Sequence, residues 1–390
     1  MLSALAVGGG SVLSATAAAA APALPHRGTP VTSFVISGRI SCATPTSCLG
    51  IGETTASGKE AQVVAVWNGT AWRAAAIPTP KPAALINLAA VSCRSASRCV
   101  LVGASITPAG AELPYALTWN GKSLTPTAAP PLPRGSGATS LTGISCVSAT
   151  SCTAVADSQG GAGAGPLLVE TWNGAKWTLH TANIPGRVRI VYPGAVSCHF
   201  ATFCVIVGET YTSLGGVPTM FLADWNGAGL TVMKAAVPAG AADVTLNDAS
   251  CPAATFCAVA GLSSNPSGAP GFAFIEMWNG KSWTATKMAT AKGGAALYGV
   301  SCRADTSCAA VGSSGPSATA QATALSYNGK TWTAQEVPGP GTGKASYFFG
   351  VNCLRAGQCV AIGETVGPGP ATAVPIGGVW SGSSWRLVAA

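Results

Sequence analysis

The sequence predicts an all-β fold, a seven-bladed β-propeller with four antiparallel strands and one disulfide in each blade. Cysteine pairs with five residues between them recur seven times, and successive pairs begin 51 to 53 residues apart. A turn that opens with an aromatic residue follows each pair. Gly and Pro number 49 and 27 and punctuate short apolar segments. A period of about fifty residues suits one four-stranded blade.

Every cysteine of the chain belongs to one of these pairs. The pairs are Cys42 with Cys48, Cys93 with Cys99, Cys146 with Cys152, Cys198 with Cys204, Cys251 with Cys257, Cys302 with Cys308, and Cys353 with Cys359. Because no cysteine is left over, we expect seven disulfides, each within one hairpin. A zinc site would need four ligands, whereas each pair supplies two and the chain has only three histidines. We therefore expect no metal and no other cofactor.

All eleven tryptophans occupy two positions of the repeat. The residue that opens the turn is Trp67, Trp119, Trp172, Trp225, Trp278, Tyr327 or Trp380. Three positions after the Gly of the turn stands Trp72, Leu124, Trp177, Leu230, Trp283, Trp332 or Trp385. A tight turn with Gly at its first central position brings the two flanking residues face to face. The spacing predicts an aromatic pair that packs across each hairpin, although stacking of these rings on a sugar stays open.

The sixth repeat shows the strands expected in one blade. Strand A is expected at 297–302 and strand B at 308–312, joined by the turn that the disulfide closes. Strand C is expected at 322–327, and the Asn-Gly turn leads into strand D at 332–337. Pro-rich segments such as 78–82 and 130–133 suit the connection from an outer strand D to the next inner strand A, because Pro cannot donate to a ladder.

The innermost strands should converge on a central axis, where only small side chains fit. The residue three positions before the first cysteine is Ala or Gly in five of the seven repeats. Arg39 in blade 1 and Asp248 in blade 5 are the exceptions. These two residues could pair with each other, lie at the channel mouth or hold a ligand.

The repeat fills residues 31–390 and leaves room for one domain. The blades are expected at about 33–82, 84–134, 138–186, 188–240, 243–292, 295–341 and 345–390. The ring is expected to close by packing blade 7 on blade 1, without strand exchange. Residues 1–30 are expected to form a signal peptide or a disordered leader, because 1–24 carry no charged side chain and end in small residues. With no later apolar segment long enough for a membrane span, the paired cysteines indicate a secreted or extracellular protein.

The turn that follows each cysteine pair resembles a known repeat. The Gly-x-x-Trp element, as in Gly280 to Trp283, is similar to the end of the hairpin in Asp-box (sialidase-like) proteins, and the chain is also distantly similar to kelch propellers. An Asp-box carries Asp two residues before that Gly, where this chain has Trp278, so the resemblance covers only the C to D turn. The cysteine hairpin looks more like repeats of exported bacterial proteins. The resemblance implies a secreted bacterial propeller without a defined activity.

The loops of a propeller fall on two faces. The B to C and D to A loops share one face, here named the loop face, and the A to B and C to D turns share the opposite hairpin face. Variable loops on a rigid scaffold commonly carry binding sites. Five positions after the second cysteine, on the loop face, four blades carry an acid: Glu53, Asp157, Glu209 and Glu364. These acids could bind cations, accept hydrogen bonds from sugar hydroxyls, or cap loop amides.

The sequence gives little support to catalysis or to nucleic-acid binding. His180 falls in a strand D and His199 inside a disulfide turn, so no nucleophile has an evident base. No pair of carboxylates is singled out by its spacing, and no catalytic residue is expected. The net charge of +8 is dispersed without a basic run, which argues against nucleic acid as a partner.

We therefore expect an exported, monomeric, non-catalytic binding or scaffold domain. Its loop face would contact carbohydrate or another component of the cell envelope or the extracellular space, through the four acids, Arg39 and Asp248. The alternative is a glycoside hydrolase or lyase of the sialidase-like propeller type that uses carboxylates of the loop face. A purely structural repeat protein is a third possibility.

Overall fold

Seven antiparallel sheets surround a central channel in the computed structural model of the chain, which confirms the predicted seven-bladed propeller. The structure describes residues 34–35, 39–54, 61–128, 130–131, 139–159, 165–186, 188–213, 216–264, 271–288, 294–339, 344–355, 357–367 and 374–389. The predicted leader and parts of the B to C loops of blades 1, 3, 4, 5 and 7 lie outside these residues. Among the residues described, no helix is long and apolar enough to cross a membrane.

Each blade is a meander of four strands, A to D, from the channel outwards. In blade 1, β1 (Phe34–Val35) and β2 (Ile40–Thr44) both pair with β3 (Ser47–Thr54) and together take the place of strand A, and β4 (Ala61–Trp67) and β5 (Trp72–Ala75) follow. Blade 2 contains β6 (Leu85–Ser95), β7 (Arg98–Ile106), β8 (Glu112–Trp119) and β9 (Leu124–Pro126). Blade 3 contains β10 (Leu141–Ser148), β11 (Ser151–Ala156), β13 (Leu167–Trp172) and β14 (Trp177–Ala182). Blade 4 contains β15 (Ile190–Phe200), β16 (Phe203–Tyr211), β17 (Thr219–Trp225) and β18 (Leu230–Met233).

The last three blades repeat this pattern. Blade 5 contains β19 (Asp243–Ala253), β20 (Phe256–Ser264), β21 (Phe272–Trp278) and β22 (Trp283–Lys287). Blade 6 contains β23 (Ala295–Ala304), β24 (Ser307–Ser314), β25 (Gln321–Tyr327) and β26 (Trp332–Gln335), with a 3-10 turn at Ser317–Thr319. Blade 7 contains β27 (Ala345–Arg355), β28 (Gln358–Val366), β29 (Val374–Trp380) and β30 (Trp385–Ala389). The short strand β12 (Ser158–Gln159) leaves blade 3 and pairs with β15 of blade 4.

All seven predicted disulfides are present, one in each blade, and no cysteine among the described residues is free. Each bond links strand A to strand B at the hairpin face. The bonds join Cys42 to Cys48, Cys93 to Cys99, Cys146 to Cys152, Cys198 to Cys204, Cys251 to Cys257, Cys302 to Cys308, and Cys353 to Cys359. In every blade except blade 5 the two cysteines are direct register partners in the sheet. The predicted pairing is therefore confirmed, and the disulfide closes the A to B hairpin in every blade.

The predicted aromatic pairs also form across the C to D turns. In the five blades with two aromatic residues, the ring centroids lie 5.1 to 5.7 Å apart. The indole Nε1 of Trp67 donates to the carbonyl of Pro45, at 3.0 Å, and thereby ties this turn to the A to B turn. Gly69 has a φ of +96°, and a Cβ there would lie 2.6 Å from Thr46. The Asn-Gly turn is thus required both by its backbone conformation and by the close approach of the disulfide turn.

The core consists of seven apolar clusters, and each lies between two adjacent blades. The cluster between blades 7 and 1 contains Ile362 and Ile40, so side-chain packing closes the ring. In the described residues, blades 1 and 7 exchange no strand. Each blade therefore buries both faces of its sheet against its neighbours.

A circle of hydrogen bonds links the blades beside the channel. The residue before the first cysteine accepts a hydrogen bond from the backbone N–H of the first cysteine in the next blade, at 2.8 to 3.2 Å. The accepting residues are Ser41, Ser92, Ser145, Ser197, Ser250, Ser301 and Asn352. Asn352 of blade 7 reaches Cys42 of blade 1 and completes the circle. These bonds satisfy seven backbone donors that would otherwise lie unpaired next to the channel.

Candidate functional site

The four acids predicted on the loop face lie at the ends of strand B. Sheet register places Glu53 opposite Val35, Glu209 opposite Tyr192, and Glu364 opposite Tyr347 at the beginning of strand A. Asp157 follows β11 directly. Because the blades have the same topology, these positions are equivalent around the ring, yet the structure gives the four carboxylates different surroundings.

Glu53 and Glu364 lie in blades 1 and 7, which are neighbours in the closed ring. Glu53 is exposed and Glu364 is partly buried. Burial raises the pKa of the Glu364 carboxyl, and the nearby charge of Glu53 raises it further. The structure thus brings together two acids that are far apart in sequence, and their charges interact.

Three aromatic residues extend this acid pair towards the channel. Tyr347 and Phe349 have parallel rings with centroids 6.1 Å apart, and Phe349 is 5.8 Å from Tyr298 of blade 6. Burial raises the pKa of Tyr347, and Tyr298 and Glu364 add to this effect. Phe349 also lines the channel. We name the set of Glu53, Glu364, Tyr347, Phe349 and Tyr298 the aromatic-acid cluster.

Sequence reasoning did not identify the aromatic members of this cluster. Tyr347 lies six residues before Cys353, and Phe349 and Tyr298 lie four residues before the first cysteine of their blades. These two positions vary among the blades: they hold Asn87 and Ala89 in blade 2, whereas blade 4 has Tyr192 at the position of Tyr347. Aromatic residues at variable positions of strand A on the loop face, in the neighbouring blades 6 and 7, were the signal that could have found them.

Glu209 is part of a second polar group, in blades 4 and 5. Its carboxylate accepts hydrogen bonds from the Tyr211 hydroxyl at 2.8 Å and from Thr245 Oγ1 at 3.0 Å. The rings of Tyr211 and Tyr192 meet edge to face with centroids 5.6 Å apart. Burial and the hydrogen bond to Glu209 raise the pKa of Tyr211. Both carboxylate oxygens of Glu209 therefore already have protein donors.

Asp157 is buried and acts on the backbone of its own blade. Its Oδ1 accepts a hydrogen bond from the Ser140 N–H at 2.5 Å, and its own N–H donates to the Ser140 carbonyl at 3.1 Å. Burial raises its pKa to about 6, against the lowering effect of the Ser140 bond, and the charge of Glu112 raises it as well. This is the amide-capping geometry, and the side chain is 8% exposed.

Arg39 and Asp248 form an ion pair across the channel, between blades 1 and 5. The guanidinium also donates to the carbonyls of Gly194 and Asn247, at 2.7 and 2.9 Å. Asp248 Oδ2 accepts from the N–H of Val300 at 3.0 Å. A cavity of about 170 Å³ lies along the axis beside this pair. Of the alternatives that the sequence left open, the structure shows the pairing of the two residues with each other.

The described part of the chain offers few side chains for metal binding or acid–base catalysis. It contains no set of three or more His, Cys, Asp or Glu side chains placed to hold a metal ion. His180 lies in β14 and shares a hydrogen bond of 3.0 Å with Thr171, and the ring of His199 packs against Phe200. The chemistry available on the loop face is therefore hydrogen bonding, stacking and carboxylate charge.

No protein-family model and no curated protein matches the chain. Solved propeller structures do match it. A polysaccharide lyase, an ulvan lyase, has a TM-score of 0.56 at 8% identity and covers 93% of this chain and 98% of its own. The propeller domain of the trilobed protease from Pyrococcus furiosus has a TM-score of 0.53 at 7% identity, with 93% and 96% covered. A prolyl endopeptidase has a TM-score of 0.53 at 10% identity, with 90% and 49% covered. These likenesses establish a β-propeller fold and nothing more specific.

Proposed function

We propose that the protein is an exported, non-catalytic binding domain whose loop face contacts carbohydrate. The observation that carries the proposal is the aromatic-acid cluster, in which the stacked rings of Tyr347 and Phe349 lie beside the Glu364 and Glu53 pair. An aromatic face packs against the apolar face of a sugar ring, and carboxylates accept hydrogen bonds from its hydroxyls. The combination suits a neutral sugar with vicinal hydroxyls.

The scaffold supports this proposal. Interblade packing and the circle of hydrogen bonds hold the strands that carry the cluster, and the disulfides close the same strands at their hairpin-face ends. Rigid support reduces the entropic cost of binding. Seven disulfides are consistent with an extracellular location, since thiols oxidise and stay paired outside the cytoplasm. The Arg39 and Asp248 pair has its bonding groups engaged within the protein, so the contact surface that we propose is the cluster rather than the channel.

A double substitution tests the site directly. Glu53→Gln together with Glu364→Gln should weaken binding of the best ligand from a glycan array by about ten- to hundred-fold, the loss typical of one charged hydrogen bond. Titration calorimetry with the full chain measures the loss. The melting temperature should change little, since Glu53 is exposed and Glu364 is only partly buried.

Glu336→Gln is a control, because it removes one exposed carboxylate after the outermost strand of blade 6, from a residue that does not belong to the aromatic-acid cluster. It should leave the affinity unchanged. Unchanged affinity in the double variant, together with lost affinity in Trp283→Ala, would contradict the loop-face site and favour the hairpin face.

The enzymatic alternative has one specific observation in its favour. The raised pKa of Glu364 beside Glu53 is the kind of difference that separates a general acid from a second carboxylate. Incubation of the bound glycan with the full chain distinguishes the functions. New reducing ends without new ultraviolet absorbance indicate a hydrolase, and new reducing ends together with absorbance from an unsaturated sugar indicate a lyase. A binding domain produces neither.

A further inference from the structure

A groove of about 440 Å³ lies between blades 4 and 5, on the outside of the ring and away from the loop face. One wall is the chain that follows β18, including Lys234 and Ala236, and the other is the C to D turn of blade 5. That turn contributes Trp278, Lys281 and Trp283. Trp278 is partly exposed, and both lysines are exposed. The groove therefore combines indole rings with two positive charges, and none of the described residues that line it is an acid.

The wall of the groove is fixed by a buried carboxyl. Glu276 of β21 is fully buried, and its Oε2 accepts a hydrogen bond of 3.2 Å from the N–H of Ala236. Its other oxygen has no hydrogen-bond partner among the described residues. This contact holds the segment after β18 against blade 5, so the groove belongs to the folded state of the two blades.

The equivalent interface between blades 2 and 3 is built differently. There Thr127 accepts a hydrogen bond of 3.1 Å from the Nε1 of Trp177, which is the counterpart of Trp283. Thr127 lies eight residues after Trp119, and the residue eight positions after Trp225 is Met233. The hydroxyl partner is thus replaced between blades 4 and 5, and the buried Nε1 of Trp283 has no acceptor within the described part of the chain. Trp72, the counterpart in blade 1, likewise has an Nε1 without a partner among the described residues, so the groove is characterised by its two exposed lysines beside Trp278.

We propose that this groove binds an acidic sugar residue of a polysaccharide, a pyranose ring that carries a carboxylate or a sulfate. The ring stacks on the exposed part of Trp278, and the anionic group lies between the ammonium groups of Lys234 and Lys281. The Ser282 hydroxyl, which also lines the groove, donates to a ring hydroxyl or to the anion. A bare phosphate would use only the lysines, and a neutral sugar would leave both charges unused.

Binding of tetragalacturonate, of a sulfated galactan oligosaccharide and of carboxyl-reduced tetragalacturonate tests the proposal by titration calorimetry with the full chain. One or both acidic probes should bind, and the neutral probe should bind at least tenfold more weakly. Preference between the two acidic probes identifies the anionic group. Lys234→Glu with Lys281→Glu should reduce the affinity of the acidic probe by more than tenfold, because both contacts become repulsive. Absence of binding by both acidic probes, or equal binding of the neutral one, would overturn the proposal.

Lys122→Glu with Lys330→Glu is the matched control. These lysines are exposed and occupy the position of Lys281 in blades 2 and 6, so the double variant has the same net charge as the groove variant. This control variant should bind the acidic probe as tightly as the wild type does. If it loses as much affinity as the groove variant, the probe is attracted by the overall charge of the protein and not by the groove. The inference is independent of the loop-face proposal, because Glu53→Gln with Glu364→Gln should leave binding in the groove unchanged.

Discussion

Replacement of Glu170 by Gln is expected to stabilise the protein at alkaline pH by about 2 to 4 kcal/mol. Glu170 is 2% exposed, and its Oε2 has no hydrogen-bond partner among the described residues. Burial raises its pKa from 4.5 to about 8. A pKa shift of this size corresponds to about 5 kcal/mol of lost folding stability once the carboxyl of the folded chain is fully ionised. Relaxation around the buried charge reduces this loss to about 2 to 4 kcal/mol. Chemical denaturation at pH 5 and pH 9 measures the difference.

The direction of this pH dependence follows from the number of protons that the folded and unfolded chains bind. Between pH 4.5 and about 8 the folded chain keeps a proton on Glu170 that the unfolded chain has released. The free energy of unfolding of the wild type should therefore fall across this range, and the Gln variant should lose less. Glu276, whose pKa burial raises to about 7, contributes in the same direction and remains in the variant. Glu336→Gln, at an exposed position, should follow the wild type, and equal pH dependence in Glu170→Gln and the wild type would contradict the buried neutral carboxyl.

Trp283→Ala should lower the free energy of unfolding by about 3 to 5 kcal/mol. The side chain is 8% exposed, pairs with Trp278 at 5.5 Å and belongs to the core cluster between blades 4 and 5. Removal of a buried indole loses its transfer free energy and leaves a cavity. Thermal and urea unfolding, each followed by circular dichroism, measure the change. The affinity for a loop-face ligand should stay within about twofold, since the pair lies at the hairpin face.

A more conservative series separates packing from hydrogen bonding. Trp283→Phe should lower the free energy of unfolding less than Trp177→Phe does. Nε1 of Trp283 has no acceptor among the residues described, whereas Nε1 of Trp177 donates to Thr127. Trp177→Phe removes the hydrogen bond from Nε1 to the Thr127 hydroxyl, and the loss of that bond lowers the free energy of unfolding by about 1 kcal/mol. Equal costs at the two positions would indicate that Trp283 has a partner in solution.

The architecture could be read from the sequence because it depends on local spacing. Five residues between paired cysteines define a closed A to B hairpin, and Trp-Asn-Gly defines the C to D hairpin in the same unit. Repetition of the unit then leaves few folds available. The residue before each first cysteine, Ser in six blades and Asn352 in blade 7, belongs to the same pattern, but its role was not evident. Ser41 bonds to a backbone N–H 52 residues away, and only the closed ring brings these atoms together.

The candidate site was harder to predict because its members come from different blades. The repeat places the four acids at equivalent strand ends, yet their burial, charges and partners depend on the neighbouring blade. Glu209 of blade 4 meets Thr245 of blade 5, a contact that the repeat pattern does not encode, whereas Asp157 meets Ser140 of its own blade. The interblade groove likewise depends on Met233 and Trp278, which are ordinary residues within their own repeats. A repeat pattern predicts what blades share, and binding sites arise where blades differ.

A crystal structure of a complex with the best-binding glycan would show the binding site itself. We expect electron density for a sugar ring on the loop face, stacked on Tyr347 or Phe349 and hydrogen-bonded to Glu364 or Glu53. Tyr347→Ala should then abolish that density under the same soaking conditions. Density for the glycan against the tryptophan pairs of the hairpin face, with the aromatic-acid cluster unoccupied, would contradict the account.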